Sequence, residues 1–510
     1  MTSESSRAFA NQYLQVNTRV VAHAVPGKQV LPAEVPKPVI PSGEAGGAAM
    51  PANADEPWRA TAPLPSAARP VRLPTPESFQ LPNGLTVLVS PQPGMPVVSA
   101  TLVVRNGGDA NPIDKPGLAG FSAAMLTQGT TSRSAMRLAE DAAEIGASLE
   151  AESSMDAMQV TASSLSRHFP AALDLLADVV RNPTFPDEEI ERVRALRSAD
   201  LVQQRSSATQ IANSVAAAAL YGLEHPYGFS DLGTLTAIKA ITRDQLHAFW
   251  RQHFVPGNAA LVVAGAITAP EVRRLAESEF GAWPRGETTA PKLGESALGR
   301  PKLVLVDRPG SPQTQLRVAT VGVARSNPDY MRIRVMNTIL GGLFSSRVNL
   351  NLREAHGYTY GARSEFSYWR GPGPFWIRTG VRTDVTAPAV REIFTEVKRI
   401  ISTPVSGEEL ALAKAAITRS LPGQFETNAV ATGAFASLFV YGLPFDYYAT
   451  LPAKIEAVTA QDVQTAAAKY LSPEALMVVA VGDGTQIRQP LEEELGPAQL
   501  RNADGQLLAK

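Results

Sequence analysis

Metal and nucleophile chemistry in proteins leans on histidine and cysteine, and this chain has six of the first and none of the second. His23, His168, His225, His247, His253 and His356 include no pair at the i, i+4 spacing that places two imidazoles on one helix face. His247 and His253 lie six apart, on opposite sides of any helix that holds both. Without cysteine there is no thiolate zinc site and no thiol nucleophile. Arg353 and Tyr360, seven residues apart, have chemistry of another kind to offer, since a guanidinium fork and a phenol both donate to developing negative charge. An arginine at a helix C-terminus commonly just complements the dipole, and a strand tyrosine commonly fills core or surface. The pair alone therefore decides nothing.

The elements that must position these residues are readable in outline. FQLPNGLTVLV, from Phe79, predicts a hairpin turning at Asn83-Gly84, and Val97 to Val104 predicts a second strand. A helix is expected over 116–128, opened by Pro116, and another over 135–145; strands follow at 146–154 and 156–165. Further on, SSRVNLNLREA fits a helix capped by Ser345 or Ser346 and ended by Gly357. YTYGARSEFSYW then reads as a strand with alternating aromatics.

A hydrophobic share of 44% against 19% charged residues fits a soluble globular protein. The net charge of −1 gives no electrostatic case for nucleic acid or an anionic membrane. No apolar run reaches the roughly 18–20 residues that span a bilayer. The first twenty residues show no continuous apolar stretch of a signal peptide. As written the chain reads as cytoplasmic; a processed or misassigned start would leave it periplasmic.

Twelve of the forty prolines fall between Pro26 and Pro76, so residues 1–77 are expected to form an extended Pro/Ala-rich arm. That arm serves as a tether, or wraps a partner through Trp58 and LPSAARPVRLP. An internal repeat follows. IKAITRDQL at 238–246 is echoed by IEAVTAQDV at 455–463, and FVPGNAALVVAG at 254–265 by YLSPEALMVVAVG at 470–482. NPTFPDEEIERVRA matches STPVSGEELALAKA 220 residues later. The expectation is an α+β protein of two homologous lobes, 78–290 and 301–500, joined by a linker at 291–300 and ending in a tail at 501–510.

Residues 117–130, GLAGFSAAMLTQGT, resemble the active-site helix of the M16 (pitrilysin/insulinase-like) metallopeptidases, usually written close to GLAHFLEHMLFKGT. The family's His-x-x-Glu-His motif falls on Gly120, Ala123 and Ala124, which can neither ligate zinc nor polarise a water. Asp200 falls near the family's distal glutamate ligand, and without two histidines it reads as a solvated helix charge. The resemblance extends through HPYG at 225–228 and the FVPGN element. It implies two similar α+β subdomains in each lobe, four in all, around a cavity.

ILGGLFSSRVNLNLREAHGYTYG, 339–361, resembles the family's second-half contribution to the active site. On that resemblance Arg353 and Tyr360 bind substrate and stabilise an oxyanion from the lobe opposite the zinc. Tyr358, five from Arg353, is the other candidate, but the Gly-x-x-Tyr form favours Tyr360. Gly341 and Gly342 make either a flexible substrate-contacting loop or a turn before the helix. In two-chain members one subunit carries the zinc motif and a homologous subunit the second-half residues, and this chain is similar to the latter. The implied function is a non-catalytic subunit with no cofactor of its own, paired with a zinc-bearing homologue and acting on peptide or unfolded polypeptide. The GASLEAESS strand at 146–154 is the matching edge for an extended substrate. The alternative is a purely structural or peptide-binding scaffold, as with the M16-like core subunits of respiratory complexes. An independent peptidase lacks its metal ligands.

Overall fold

The structure, a computed structural model, describes residues 2–23, 71–288, 291, 293–296 and 300–508. Residues 1–69 and 70–510 form two compact units. In the first, a helix spans Ser3–Tyr13, started by a capping box between Thr2 and Ser5, and buries none of its residues. The proline-rich stretch with Trp58 lies outside the described residues.

The second unit holds two six-stranded mixed sheets, one from each half of the repeat. The first comprises β1 (Glu77–Gln80), β2 (Thr86–Pro91), β3 (Val97–Val104), β4 (Ser148–Ser153), β5 (Met158–Leu165) and β6 (Ala259–Gly265), in the order β1-β2-β6-β3-β5-β4. The second comprises β7 (Leu303–Asp307), β8 (Gln313–Val321), β9 (Thr359–Phe366), β10 (Pro374–Arg382), β11 (Met477–Gly482) and β12 (Gln499–Leu500), in the order β12-β7-β11-β8-β10-β9. Five strands correspond one for one. β2 runs parallel to β6 as β7 does to β11, and the remaining matched pairs are antiparallel. Only the sixth strand differs, since β1 joins antiparallel and β12 parallel. Each half thus builds one sheet among the described residues, where the resemblance led us to expect two subdomains per lobe.

The repeat is written in caps as well as in strands. Thr242 with Gln245 and Thr459 with Asp462 form capping boxes on the helices Arg243–His253 and Ala460–Tyr470. Each helix leads by a Pro-containing turn into a central strand, β6 or β11, whose every residue is buried. Strands buried on both faces need cover on both. One face of the first sheet packs on helices of its own half, through Phe121, Leu173, Leu176 and Leu246. Its other face is covered by the helix Asn428–Val440 from the second half, which lies on β3 and β6. Reciprocally, Ala208–Tyr221 from the first half lies on β8 and β11. Ala-rich surfaces let both helices sit close, so Leu88, Val103 and Val262 share a core with Phe435 and Phe439. Thr101 and Thr432 meet inside it, their hydroxyls 2.8 Å apart.

Candidate functional site

The helix Leu118–Met125 follows Gly117, whose φ of 92° suits glycine, and runs into a 3₁₀ turn at Leu126–Gln128. Gly120 and Ala123 are buried on it, and Ala124 is half-buried. Across it lies the helix Asp187–Gln204, which brings Arg197 against Gly120. A Cβ on Gly120 would stand 2.8 Å from Nη2 of Arg197 and 2.3 Å from Oδ2 of Asp231. Nη2 of Arg197 donates to the Asp231 carbonyl at 2.8 Å and lies 3.9 Å from its carboxylate. Burial lowers the pKa of Arg197 and raises that of Asp231, while each partner's charge opposes the other's shift. Nε of Arg197 and Oδ1 of Asp231 are buried without a hydrogen-bond partner.

Zinc does not fit here. The helix offers no donor, and a guanidinium occupies the space that a side chain at position 120 would need. Asp200, exposed one turn further along the helix, faces that guanidinium electrostatically. Among the described residues no three His, Asp or Glu side chains come together as a metal site. Two of the histidines are tied up in the fold: Nδ1 of His225 accepts from Tyr227 N–H at 3.0 Å, and burial pushes the His253 pKa down to about 4. β4, the edge strand beside this helix, carries no side-chain plug on its outer backbone groups among the described residues.

In the second half, the predicted helix forms as a turn of α-helix at Arg347–Asn349 continued by a π-helical segment, Leu350–Ala355. Ser346 holds the N-cap backbone geometry, yet its hydroxyl is buried and unbonded, so the expected side-chain cap is absent. Gly357, at φ 63°, ends the segment as expected. Tyr358 is half-buried against the core and stacks on His356 at 4.9 Å. Tyr360 is 91% exposed at the start of β9. Arg353 lies half-exposed, its guanidinium 4.5 Å from the ring centre of Phe344 and its Nε 3.5 Å from Glu354. Gly341 and Gly342 do not form a loop: they end another π-helical segment, Thr338–Gly342. A Cβ at Gly341 would meet Ser364 at 2.4 Å, so this buried glycine serves close packing under β9, and only Gly342 is exposed.

Sequence reasoning missed the groups that hold this surface in place. Arg347, almost fully buried, makes a two-pronged contact with Glu409 at 2.6 and 2.9 Å. Glu409 also closes the capping box at Ser406 on the helix Gly407–Ser420. Asn349 accepts from Ala362 N–H at 3.0 Å, and Asn337 donates to Ser364 O at 3.1 Å. These two amides plug the outer edge of β9, in contrast to β4. The pair Arg347–Glu409 has a pH signature. The Arg347 hydrogen bond holds Glu409 at about 2, below its ordinary 4.5. A folded value below the unfolded one stabilises fully above the unfolded value and is lost as pH falls through the folded one. Arg347→Ala should cost about 2 kcal/mol at pH 7, as for a charged hydrogen-bonded pair. In urea unfolding the gap to wild type should shrink as pH falls from 4.5 toward 2; a gap that widens in acid would contradict the assignment.

Comparison with known proteins finds relatives over most of the chain. The description "Insulinase (Peptidase family M16)" matches residues 86–225, and "Peptidase M16 inactive domain" matches 240–417. An uncharacterized zinc protease of Mycobacterium tuberculosis is 26% identical over 414 residues, covering 80% of this chain and 94% of that protein. A probable mitochondrial-processing peptidase subunit beta of Arabidopsis thaliana is 26% identical over 415 residues, 79% of this chain and 77% of its own length. The crystal structure of a peptidase M16 inactive domain from Pseudomonas fluorescens superimposes with a TM-score of 0.75 at 26% identity, over 80% of this chain and 98% of that one. A Helicobacter pylori protease shares the fold, with a TM-score of 0.73 at 18% identity, over 80% of this chain and 100% of that one. With matches to one family reaching strands of both sheets, the 240–417 match being of its inactive-domain type, the chain belongs to the M16 peptidase family.

Proposed function

We propose that this chain is the non-catalytic subunit of a two-chain zinc-dependent M16 peptidase, lending Arg353 and Tyr360 to a homologous partner that carries the zinc. The observation that carries the reading is the surface around Tyr360. At 91% exposure its ring and hydroxyl do nothing for the chain's own packing; Phe344, which lies against the Arg353 guanidinium, and Leu350 are likewise 67% and 43% exposed. Exposed aromatic and apolar side chains and a guanidinium, on elements held by Arg347–Glu409 and two asparagine plugs, can offer a contact to something outside the chain.

Its chemistry suits peptide hydrolysis. A phenol fixed at a strand start can donate to a carbonyl oxygen as it gains charge, and an arginine fork can hold backbone carbonyls or a carboxylate. The first half contributes no metal, because Arg197 stands against Gly120. Its open β4 edge can still take an extended polypeptide by strand addition, giving sequence-tolerant backbone hydrogen bonds. The Arabidopsis relative is itself described as a subunit, which supports pairing. The zinc belongs, on this reading, to the partner.

Association is the first test. Co-expression with an M16 homologue bearing an intact His-x-x-Glu-His, followed by size exclusion, should give one peak containing both chains at equal stoichiometry. Separate elution at micromolar concentrations would overturn the pairing.

A further inference from the structure

Two cavities open side by side where the halves meet, and they share Arg325 and Tyr441. The first, of about 500 Å³, is lined by Arg105, Arg325 and Arg370 together with Asn106 and Asn258. The second, of about 490 Å³, has Tyr330, Tyr368, Tyr447 and Tyr448 as walls and adds Arg334. Together they make a groove whose first cavity is cationic and whose second is walled by tyrosines, with Arg325 and Tyr441 at the junction.

The charges are unevenly answered. Arg370 lies 3.1 Å from the buried Asp109 and donates to the Asp156 carbonyl at 2.8 Å. Arg105 donates from Nε to Phe439 O at 3.0 Å and stacks on the Phe439 ring, with no carboxylate as partner among the described residues. Arg325 stacks 3.8 Å from the Tyr330 ring centre and 5.0 Å from that of Tyr447. Neither Arg325 nor Arg334 makes an ion pair among the described residues, and the one acid lining the groove, Glu365, lies 3.6 Å from Arg378. The groove also holds unsatisfied hydroxyls. The Tyr368 hydroxyl is buried without a hydrogen-bond partner, and that of Tyr447, 7% exposed, faces the Arg325 guanidinium without an aligned hydrogen bond. Such groups cost stability unless a ligand satisfies them.

A bare inorganic anion would answer the guanidinium groups and leave the tyrosine walls idle, while an uncharged aromatic would do the reverse. We infer that the groove binds an organic carboxylate with an aromatic or bulky apolar body, of the kind presented by a peptide's carboxyl-terminal residue. The carboxylate meets Arg325 at the junction of the cavities, and the body lies among Tyr330, Tyr368 and Tyr447. The site belongs to this chain alone, so its test is independent of whether a zinc-bearing partner exists.

The test is calorimetric titration of the purified full chain with N-acetylphenylalanine, N-acetylphenylalaninamide and inorganic phosphate at equal ionic strength. N-acetylphenylalanine should saturate a single site, with the amide and phosphate each at least about tenfold weaker, the scale of one lost charge-assisted contact. Arg325→Met should weaken N-acetylphenylalanine by about tenfold or more, with thermal unfolding reporting whether the fold survives the loss of stacking. Ser326→Asp, an exposed change on the rim of the first cavity, puts a like charge beside the site and should weaken it in a chain whose fold is untouched. Absence of saturable binding, equal affinity for acid and amide, or phosphate binding as tightly as N-acetylphenylalanine would each overturn the proposal. So would unchanged affinity in Ser326→Asp.

Discussion

Rebuilding the family motif by Gly120→His, Ala123→Glu and Ala124→His is expected to leave the chain without stoichiometric zinc. The loss of ligands is only half of what separates this helix from a metal site. A side chain at position 120 would run into Asp231 and Arg197, at 2.3 and 2.8 Å from its first carbon. Overfilling a packed site of this kind costs about 1–3 kcal/mol, and the displaced guanidinium would have to leave a buried position beside the new ligands. Adding Arg197→Ala to the triple variant removes the charge and one of the two obstructions, leaving Asp231 to give way, so metal occupancy should rise in the quadruple variant relative to the triple. Metal analysis after dialysis, with thermal unfolding on the same samples, checks this. One tightly held zinc per chain with Arg197 intact would show that the cation is no barrier.

Within the proposed complex, Tyr360→Phe should reduce kcat roughly 10²–10³-fold, as for loss of one oxyanion donor, with assembly unchanged. Stability should not change, because a side chain 91% exposed can lose a hydroxyl within about ±0.5 kcal/mol. Arg353→Ala should raise KM and lower kcat, since the fork positions substrate before charge develops. Tyr358→Phe is the internal control, since it keeps the ring that stacks on His356. Wild-type turnover by both Tyr360→Phe and Arg353→Ala in an intact complex would leave the chain a scaffold.

Features with local causes were legible in advance. β3 runs from Val97 to Val104 as its apolar-rich VVSATLVV predicts, and the helix Ala135–Glu144 follows from its spacing. The paired strands and capping boxes of the two halves follow from repeated sequence. The features that escaped have distant causes. An alanine-rich helix such as Asn428–Val440 announces burial but not that it lies on the other half's sheet. Arg197 reads as one more charge on a polar helix until Asp231, 34 residues away, is seen beside it. Arg347 and Glu409, 62 apart, give no sign of each other in the sequence. Gly341 reads from sequence as a loop or a turn and is instead a close contact, because Ser364 of β9 cannot be placed from sequence. The cap at Thr2 made a helix where composition suggested only an arm.

The account rests on completion of a partner's site by this chain, and activation measures that directly. A fixed concentration of the zinc-bearing homologue is titrated with this protein while hydrolysis of an unstructured peptide is followed. Turnover should rise from near background and saturate at one equivalent, remain sensitive to chelators throughout, and reach the same plateau with Tyr358→Phe. A flat titration in which the homologue alone is already fully active would contradict the account.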